Sequence, residues 1–226
     1  YVEYGEYPGY AKSGYKRWLF LNKQHEDDLE STQSFNVTDA PIIRLGEVMM
    51  NYIEAAAELE TMGKYTVTQD DIDATINQLR TRASFGGKLA KLQIVGGQPA
   101  VGGVVFDDAD RDQDVPALLW EIRRERRVEL VYQGFRLNDL KRWRKINYLN
   151  SDLYPKKVIG CWLEKNDQYK GHILCDENGI VTSNAGSTKG AGYLKVSMTP
   201  RNADNGYVLD RNYWECVPLY EIDYYR

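Results

Sequence analysis

Charged and apolar residues share one face of the helix that the sequence predicts over residues 114–133. In the overlapping stretch from Glu121 to Trp143, EIRRERRVELVYQGFRLNDLKRW, 11 of the 23 residues are charged and seven of those are basic. At 100° per residue, the apolar side chains of the helix fall within an arc of about 120°, and they are Leu118, Leu119, Ile122 and Leu130. Glu129 and Arg126 fall inside this arc, about 20° and about 80° from Leu118. This arrangement restricts the fold strongly, because burying the apolar arc also buries the charged side chains of Arg126 and Glu129.

Charges of both signs inside an apolar arc predict an internal ion pair. A buried charge is tolerated when it is paired and hydrogen-bonded. We therefore expect Glu129 to form a bidentate pair with Arg126 or Arg136, and these three residues to form a structural network. A helix that binds nucleic acid would instead place its arginines on a free polar face, so we do not expect nucleic acid as a partner.

A catalytic interpretation of the same helix competes with the structural one. Glu125 and Glu129 lie one helical turn apart, which would suit the carboxylate pair of a hydrolase. Four neighbouring arginines favour ionised carboxylates, whereas a general acid has to keep its proton. The sequence therefore favours the structural role.

Two further helices precede this one. Apolar periodicity predicts a helix over residues 42–62, with an apolar arc formed by Leu45, Val48, Met49, Tyr52, Ala55, Ala56 and Leu59. Thr68, followed three residues later by Asp71, predicts the N-cap of the next helix. The short connection between the two helices predicts an antiparallel helical hairpin.

The remaining segments contain fewer regular patterns. Residues 1–40 are expected to be irregular and aromatic-rich, residues 41–146 to form a helical core, and residues 147–226 to form a loop-rich segment that packs on the helices. Within the core, residues 84–113 contain three Gly-Gly pairs and are expected to form a long loop excursion. A further short helix is expected over residues 137–145, after Gly134.

Composition excludes several classes of protein. The net charge is −4, which argues against a general binder of polyanions, and no apolar run is long enough to span a membrane. Three cysteines and two histidines have no metal-ligand spacing, so we expect no metal site. The chain begins with Tyr1 and has no signal segment, and we expect it to be a mature or truncated product.

Four ordered motifs resemble the SusD/RagB family. The stretch IRRERRVELVYQGFRLNDLKRW resembles the family pattern I-x-x-E-R-R-x-E-[LF], followed by E-G-x-R-x-x-D-L-x-R-W. Upstream, RLGEVMMNYIEAAAELETMGKY and DATINQLRTRASF resemble the two preceding family helices, and YWECVPLYEID resembles the terminal segment. The resemblance covers residues 40–145 and the last fifteen or so.

This resemblance implies a fold and a function. Family members are cell-surface lipoproteins of the Gram-negative outer membrane, with an all-α fold of tetratricopeptide-like helix pairs, long irregular segments and minor short β-hairpins. They capture nutrients, usually oligosaccharides, and deliver them to a SusC-like TonB-dependent transporter. They are not enzymes and need no cofactor. The chain resembles a C-terminal portion, so the lipid anchor that would attach it to the membrane is expected in a missing N-terminal portion.

Aromatic side chains are the candidate ligand contacts. A pyranose ring packs its C–H bonds on an aromatic face, and its hydroxyl groups need polar partners. On residue type alone, the candidates are Tyr4, Tyr7, Tyr10, Trp162 and Tyr169. A peptide-capturing member of the same family is the alternative, based on the Glu-rich first helix and a basic pair at Lys16 and Arg17. A free-standing helical-repeat scaffold is a third interpretation.

Overall fold

The computed structural model describes residues 41–82, 86, 89–163, 174–180, 191–195, 202–206 and 209–214. The chain divides into two compact units. One unit is Val37–Arg136, and the other combines Tyr1–Asn36 with Leu137–Arg226. The domain boundaries expected at residues 40/41 and 146/147 stay a prediction.

Helix α1 is Leu45–Thr61, slightly shorter than the sequence predicts. Its buried residues include Met50, Ile53 and Ala57, and the acidic residue Glu54. Most of the predicted apolar arc lies on the other side, where Leu45 is 68% exposed and Val48 is 51% exposed. The predicted interior face is therefore wrong, because α1 has apolar side chains on two faces and the helical period alone does not say which one is covered.

Two short helices follow where the sequence predicts one. They are α2, Gln69–Ala74, and α3, Ile76–Arg80, and both pack against α1. The capping box of Thr68 and Asp71 is present, which confirms the predicted helix start. The helices separate at Thr75, whose hydroxyl donates to the carbonyl of Asp71 at 2.6 Å and so competes with the regular helical bonds.

The expected loop excursion contains a three-stranded antiparallel sheet. Its strands are β1, Gln93–Val95, β2, Gln98–Val101, and β3, Val104–Val105, in the order β1-β2-β3. The two-residue turns are Gly-Gly pairs, and all four glycines have positive φ between 58° and 78°. Tight hairpins of this kind need positive φ at both central residues, so the glycines determine the sheet.

Helices α4 and α5 complete the helical part. Helix α4 is Ala117–Glu129 and runs antiparallel to α1. Helix α5 is Phe135–Arg142, and the boundary between the two compact units falls within it. The core of the unit Val37–Arg136 is formed by buried side chains of α1, α2, α3 and α4 together with Leu92. The helical residues are Met50, Ile53, Ile72, Ile76, Leu118 and Ile122.

A second sheet lies in the other compact unit. After 3-10 turns at Ile146–Leu149 and Pro155–Val158 come β4, Ile159–Leu163, β5, Leu174–Cys175, and β6, Gly192–Lys195. These strands pair in the antiparallel order β4-β6-β5. A further 3-10 turn is Asp210–Tyr213. The expected all-α fold is therefore wrong, since two three-stranded sheets make the described chain a mixed α/β protein.

Candidate ligand-binding site

An aromatic pair, of which one ring is exposed and the other half-buried, lies on one face of the β4-β6-β5 sheet. Trp162 of β4 is directly opposite Tyr193 of β6. Their ring centroids are 5.0 Å apart and their planes meet at 77°, an edge-to-face arrangement. Trp162 is 46% exposed, so much of its indole faces solvent.

A β-bulge brings these two rings together. Ile159 pairs with Lys195 and Trp162 pairs with Tyr193, so Gly160 and Cys161 together face the single residue Leu194. A bulge of this type turns the following side chains to the other face of the strand. Its effect here is to place Trp162 on the same face as Tyr193.

The opposite face of the sheet forms a small core. Cys161, Leu163, Leu174 and Leu194 pack together there. At β6, a Cβ on Gly192 would lie 2.8 Å from the carbonyl oxygen of Cys175, so the close approach of β5 requires glycine. The aromatic pair thus rests on a rigid, closely packed support.

The thiols of this sheet are buried and unreactive. Burial raises the pKa of Cys161, and it also raises the pKa of Cys175. Both are free thiols, and neither is activated as a nucleophile. The exposed chemistry of the sheet is therefore that of its aromatic rings.

The other predicted ligand residues are not placed by the structure. Tyr4, Tyr7, Tyr10 and Tyr169 lie outside the described residues. Trp162 is thus the one predicted ligand residue whose surroundings are known. Sequence reasoning missed its partner Tyr193, because the pairing depends on strand register.

A second exposed tryptophan was also missed. Trp214 follows the last 3-10 turn and is 72% exposed. In the sequence Trp214 lies within the segment that resembles the terminal family motif, and its residue type alone does not predict its exposure.

Two of the three predicted ion-pair residues, Glu129 and Arg126, contact charged residues that the sequence did not suggest. Glu129 makes a bidentate pair with Arg82, with contacts of 3.1 and 2.6 Å. Arg126, one of the two expected partners, lies 3.3 Å from Glu54 and donates to the Asn51 side-chain oxygen at 2.7 Å. Arg136, the other expected partner of Glu129, lies in α5 and is the last residue of the unit Val37–Arg136.

The remaining glutamates of α4 are held in the same way. Glu121, which is almost fully buried, contacts both Arg80 and Arg124. Glu125 contacts the same two arginines. Each carboxylate of the former candidate catalytic pair is therefore held by guanidinium groups within the fold.

Two further kinds of site, a metal site and a membrane-spanning helix, are absent from the described residues. In the part of the chain that the structure describes, no three His, Cys, Asp or Glu side chains are grouped to hold a metal ion. Among the helices described, none combines the length and the apolar character needed to cross a bilayer.

Comparison with known proteins adds one finding. Residues 3–206 match the family model whose description is the SusD family. Neither a curated protein nor a solved structure is significantly similar to the chain.

Proposed function

Because the chain belongs to the SusD/RagB family of nutrient-binding surface proteins, we propose that it captures oligosaccharides and delivers them to a SusC-like TonB-dependent transporter. Proteins of this family bind their ligands and are not enzymes. The family is generally associated with the outer membrane. We propose the same location here, at the cell surface, with attachment through a lipid anchor outside this chain.

The observation that carries the proposal is the Trp162–Tyr193 pair. The indole is about half exposed and contacts the second ring edge-to-face, and this contact restricts its rotation. Such a ring loses less conformational entropy than an unsupported one when a ligand packs on it. The apolar C–H face of a pyranose matches such a surface in shape and polarity. A neutral sugar could pack on this surface without desolvating a charged side chain of the protein.

The experiment is a binding measurement with one variant and a matched control. Calorimetry or affinity electrophoresis across a panel of oligosaccharides is expected to find at least one that binds without being cleaved. Trp162→Ala is expected to weaken that binding at least tenfold. The control is Tyr132→Asn, which removes an aromatic residue of the same 46% exposure from the other unit, at a positive φ that asparagine tolerates.

Peptide capture is the alternative outcome of this experiment. This alternative is based on the glutamates of α1 and on Lys16 and Arg17. Glu54 contacts Arg126 and Glu58 contacts Arg123, while Lys16 and Arg17 lie outside the described residues. Binding of peptides with no response to any glycan would overturn the proposal and favour this alternative. If Trp162→Ala binds a glycan as tightly as the wild type does, the proposed function is retained but the proposed contact at Trp162 is wrong.

A further inference from the structure

The segment between Lys141 and Lys157 is strongly basic in a chain whose net charge is −4. It contains one acidic residue, Asp152. Its basic residues are Lys141, Arg142, Arg144, Lys145, Lys156 and Lys157. The segment belongs to the same compact unit as Trp162 and ends just before β4 begins.

Two ammonium groups of this segment converge on one tyrosine ring. The Nζ of Lys157 lies 3.8 Å from the ring centroid of Tyr148 and 4.5 Å from that of Tyr154. The Nζ of Lys145 lies 5.9 Å from the centroid of Tyr148. The rings attract each cation, while the two like charges repel one another. An anion beside Tyr148 would be attracted by both ammonium groups.

Arg144 occupies a backbone position that normally belongs to glycine. At the end of α5, the amide of Lys145 donates to the carbonyl of Leu140 at 2.9 Å, and the amide of Arg144 donates to that of Lys141 at 3.1 Å. This is a Schellman motif, and Arg144 takes its left-handed position with φ of 58°.

Helix α1 ends in the same motif with the usual residue. The amide of Lys64 donates to the carbonyl of Leu59, the amide of Gly63 donates to that of Glu60, and Gly63 has φ of 67°. An arginine at this position carries a conformational cost that glycine does not. Strain of this kind, kept where glycine would relieve it, points to a use for the side chain. The guanidinium of Arg144 lies 4.9 Å from the ring centroid of Tyr213, whose hydroxyl accepts a hydrogen bond from the amide of Ile146 at 3.1 Å.

We propose that Arg144, Lys145 and Lys157 form an anion site for the carboxylate groups of an acidic glycan built from uronate sugars. This inference rests on the proposed function, because a neighbouring sugar is taken to stack on Trp162. Trp162 lies five residues beyond Lys157, so their Cα atoms are at most about 18 Å apart. One oligosaccharide can therefore reach both contacts.

The test compares a charged ligand with its neutral form on the full chain. An oligogalacturonate and its methyl ester differ in the charge of each carboxyl group and in one methyl group per sugar. Both are titrated at low and at high salt, because only the contribution of charge is screened by salt. The acid is expected to bind at least tenfold more tightly than the ester at low salt, with a smaller ratio at high salt. The double variant Lys145→Met/Lys157→Met is expected to abolish this preference. Lys64→Met/Lys91→Met makes the same charge change in the other unit and should preserve it.

Arg144→Gly separates a structural role from binding. Glycine suits the left-handed position, so the thermal midpoint is expected to be unchanged or raised, while affinity for the acid falls at least threefold. A lowered midpoint with unchanged affinity would overturn the role of Arg144.

Other outcomes distinguish the inference from the function on which it rests. Equal affinity for acid and ester overturns the anion site and leaves oligosaccharide capture standing. Absence of binding to every glycan tested overturns the function itself. Preference for a sulfated over a desulfated oligosaccharide, with no response to uronates, overturns the uronate assignment. An equal loss in the Lys64/Lys91 variant would show an effect of net charge and also overturn the site.

Discussion

Glu129 holds the guanidinium of Arg82 through both carboxylate oxygens, with Oε1 3.1 Å from Nη1 and Oε2 2.6 Å from Nη2. The Nη2 of Arg44 approaches the same Oε1 at 3.4 Å. One carboxylate at the end of α4 thereby joins the residue before α1 to the segment after α3. The side chain of Glu129 is 9% exposed, so these contacts are partly shielded from water.

Glu129→Gln should destabilise the protein without changing its affinity for a ligand. The amide keeps the size of the side chain but removes the charge that neutralises Arg82 and Arg44. Because Arg82 is itself 38% exposed, we expect a loss of about 2 kcal/mol in the free energy of unfolding, below the range for fully buried pairs. Urea denaturation measures it. Asp107→Asn is the control, since it weakens the bidentate pair with Arg111 at a carboxylate that is 51% exposed, and it should cause a clearly smaller loss. A normal unfolding curve for Glu129→Gln together with lost glycan binding would contradict the structural role.

Gly46→Ala should destabilise the protein only while Glu129 is present. A Cβ on Gly46 would lie 2.7 Å from Oε1 of Glu129, so the pinned carboxylate would have to move away from Arg82. We expect a net loss of roughly 1 kcal/mol, after the gain from a better helix former. In the background of Glu129→Ala, the same substitution should become neutral or stabilising. Thermal unfolding of the four proteins of this cycle measures the coupling, and additive effects would contradict it.

Stability should fall at acidic pH through Asp71. Partial burial opposes its charged form, but hydrogen bonds from the Thr68 backbone and from the Tyr52, Thr68 and Tyr65 side chains outweigh burial and lower the pKa of Asp71. A carboxyl whose pKa is lowered by folding contributes stability above its unfolded pKa, about 3.9, and loses it as pH falls through the folded pKa.

Asp71→Asn should therefore flatten the dependence of the unfolding free energy on pH below about 4. The control Asp70→Asn changes the exposed neighbour on the same turn. Parallel pH profiles for wild type and Asp71→Asn would show that the capping network contributes nothing in that range.

Gly97→Ala should weaken the β1–β2 hairpin through backbone conformation alone. Gly97 has φ of 78° and an added Cβ would meet no atom within 4 Å, so no clash complicates the result. We expect a loss of about 1 kcal/mol. Gly97→Asn should cost less, because asparagine tolerates positive φ. Differential scanning calorimetry measures both, and an equal loss in the two variants would argue against the conformational explanation.

Local signals in the sequence predict local structure well. The capping box at Thr68 needs only residues three apart, and it forms as expected. The Gly-Gly pairs predict a loop by composition, but glycine also tolerates the positive φ that two-residue hairpin turns require. More weight on that property would have predicted the first sheet.

Partners distant in sequence could not be predicted. Helical periodicity placed Arg126 correctly in the interior, yet its carboxylate is supplied by Glu54, 72 residues earlier. No pattern in the sequence pairs Arg82 with Glu129, which lies 47 residues later. Trp162 was selected by residue type, but its partner Tyr193 follows from a register shift that only the paired strands reveal.

The bulge at Gly160 and Cys161 makes the proposed ligand surface sensitive to the number of residues in β4. Deleting one residue there would restore a regular register, and the side chains on one side of the deletion would change faces. The indole of Trp162 would then turn toward the small core while the strand pairing persisted. Insertions and deletions at this bulge are thus a short evolutionary route to a different binding surface on the same sheet.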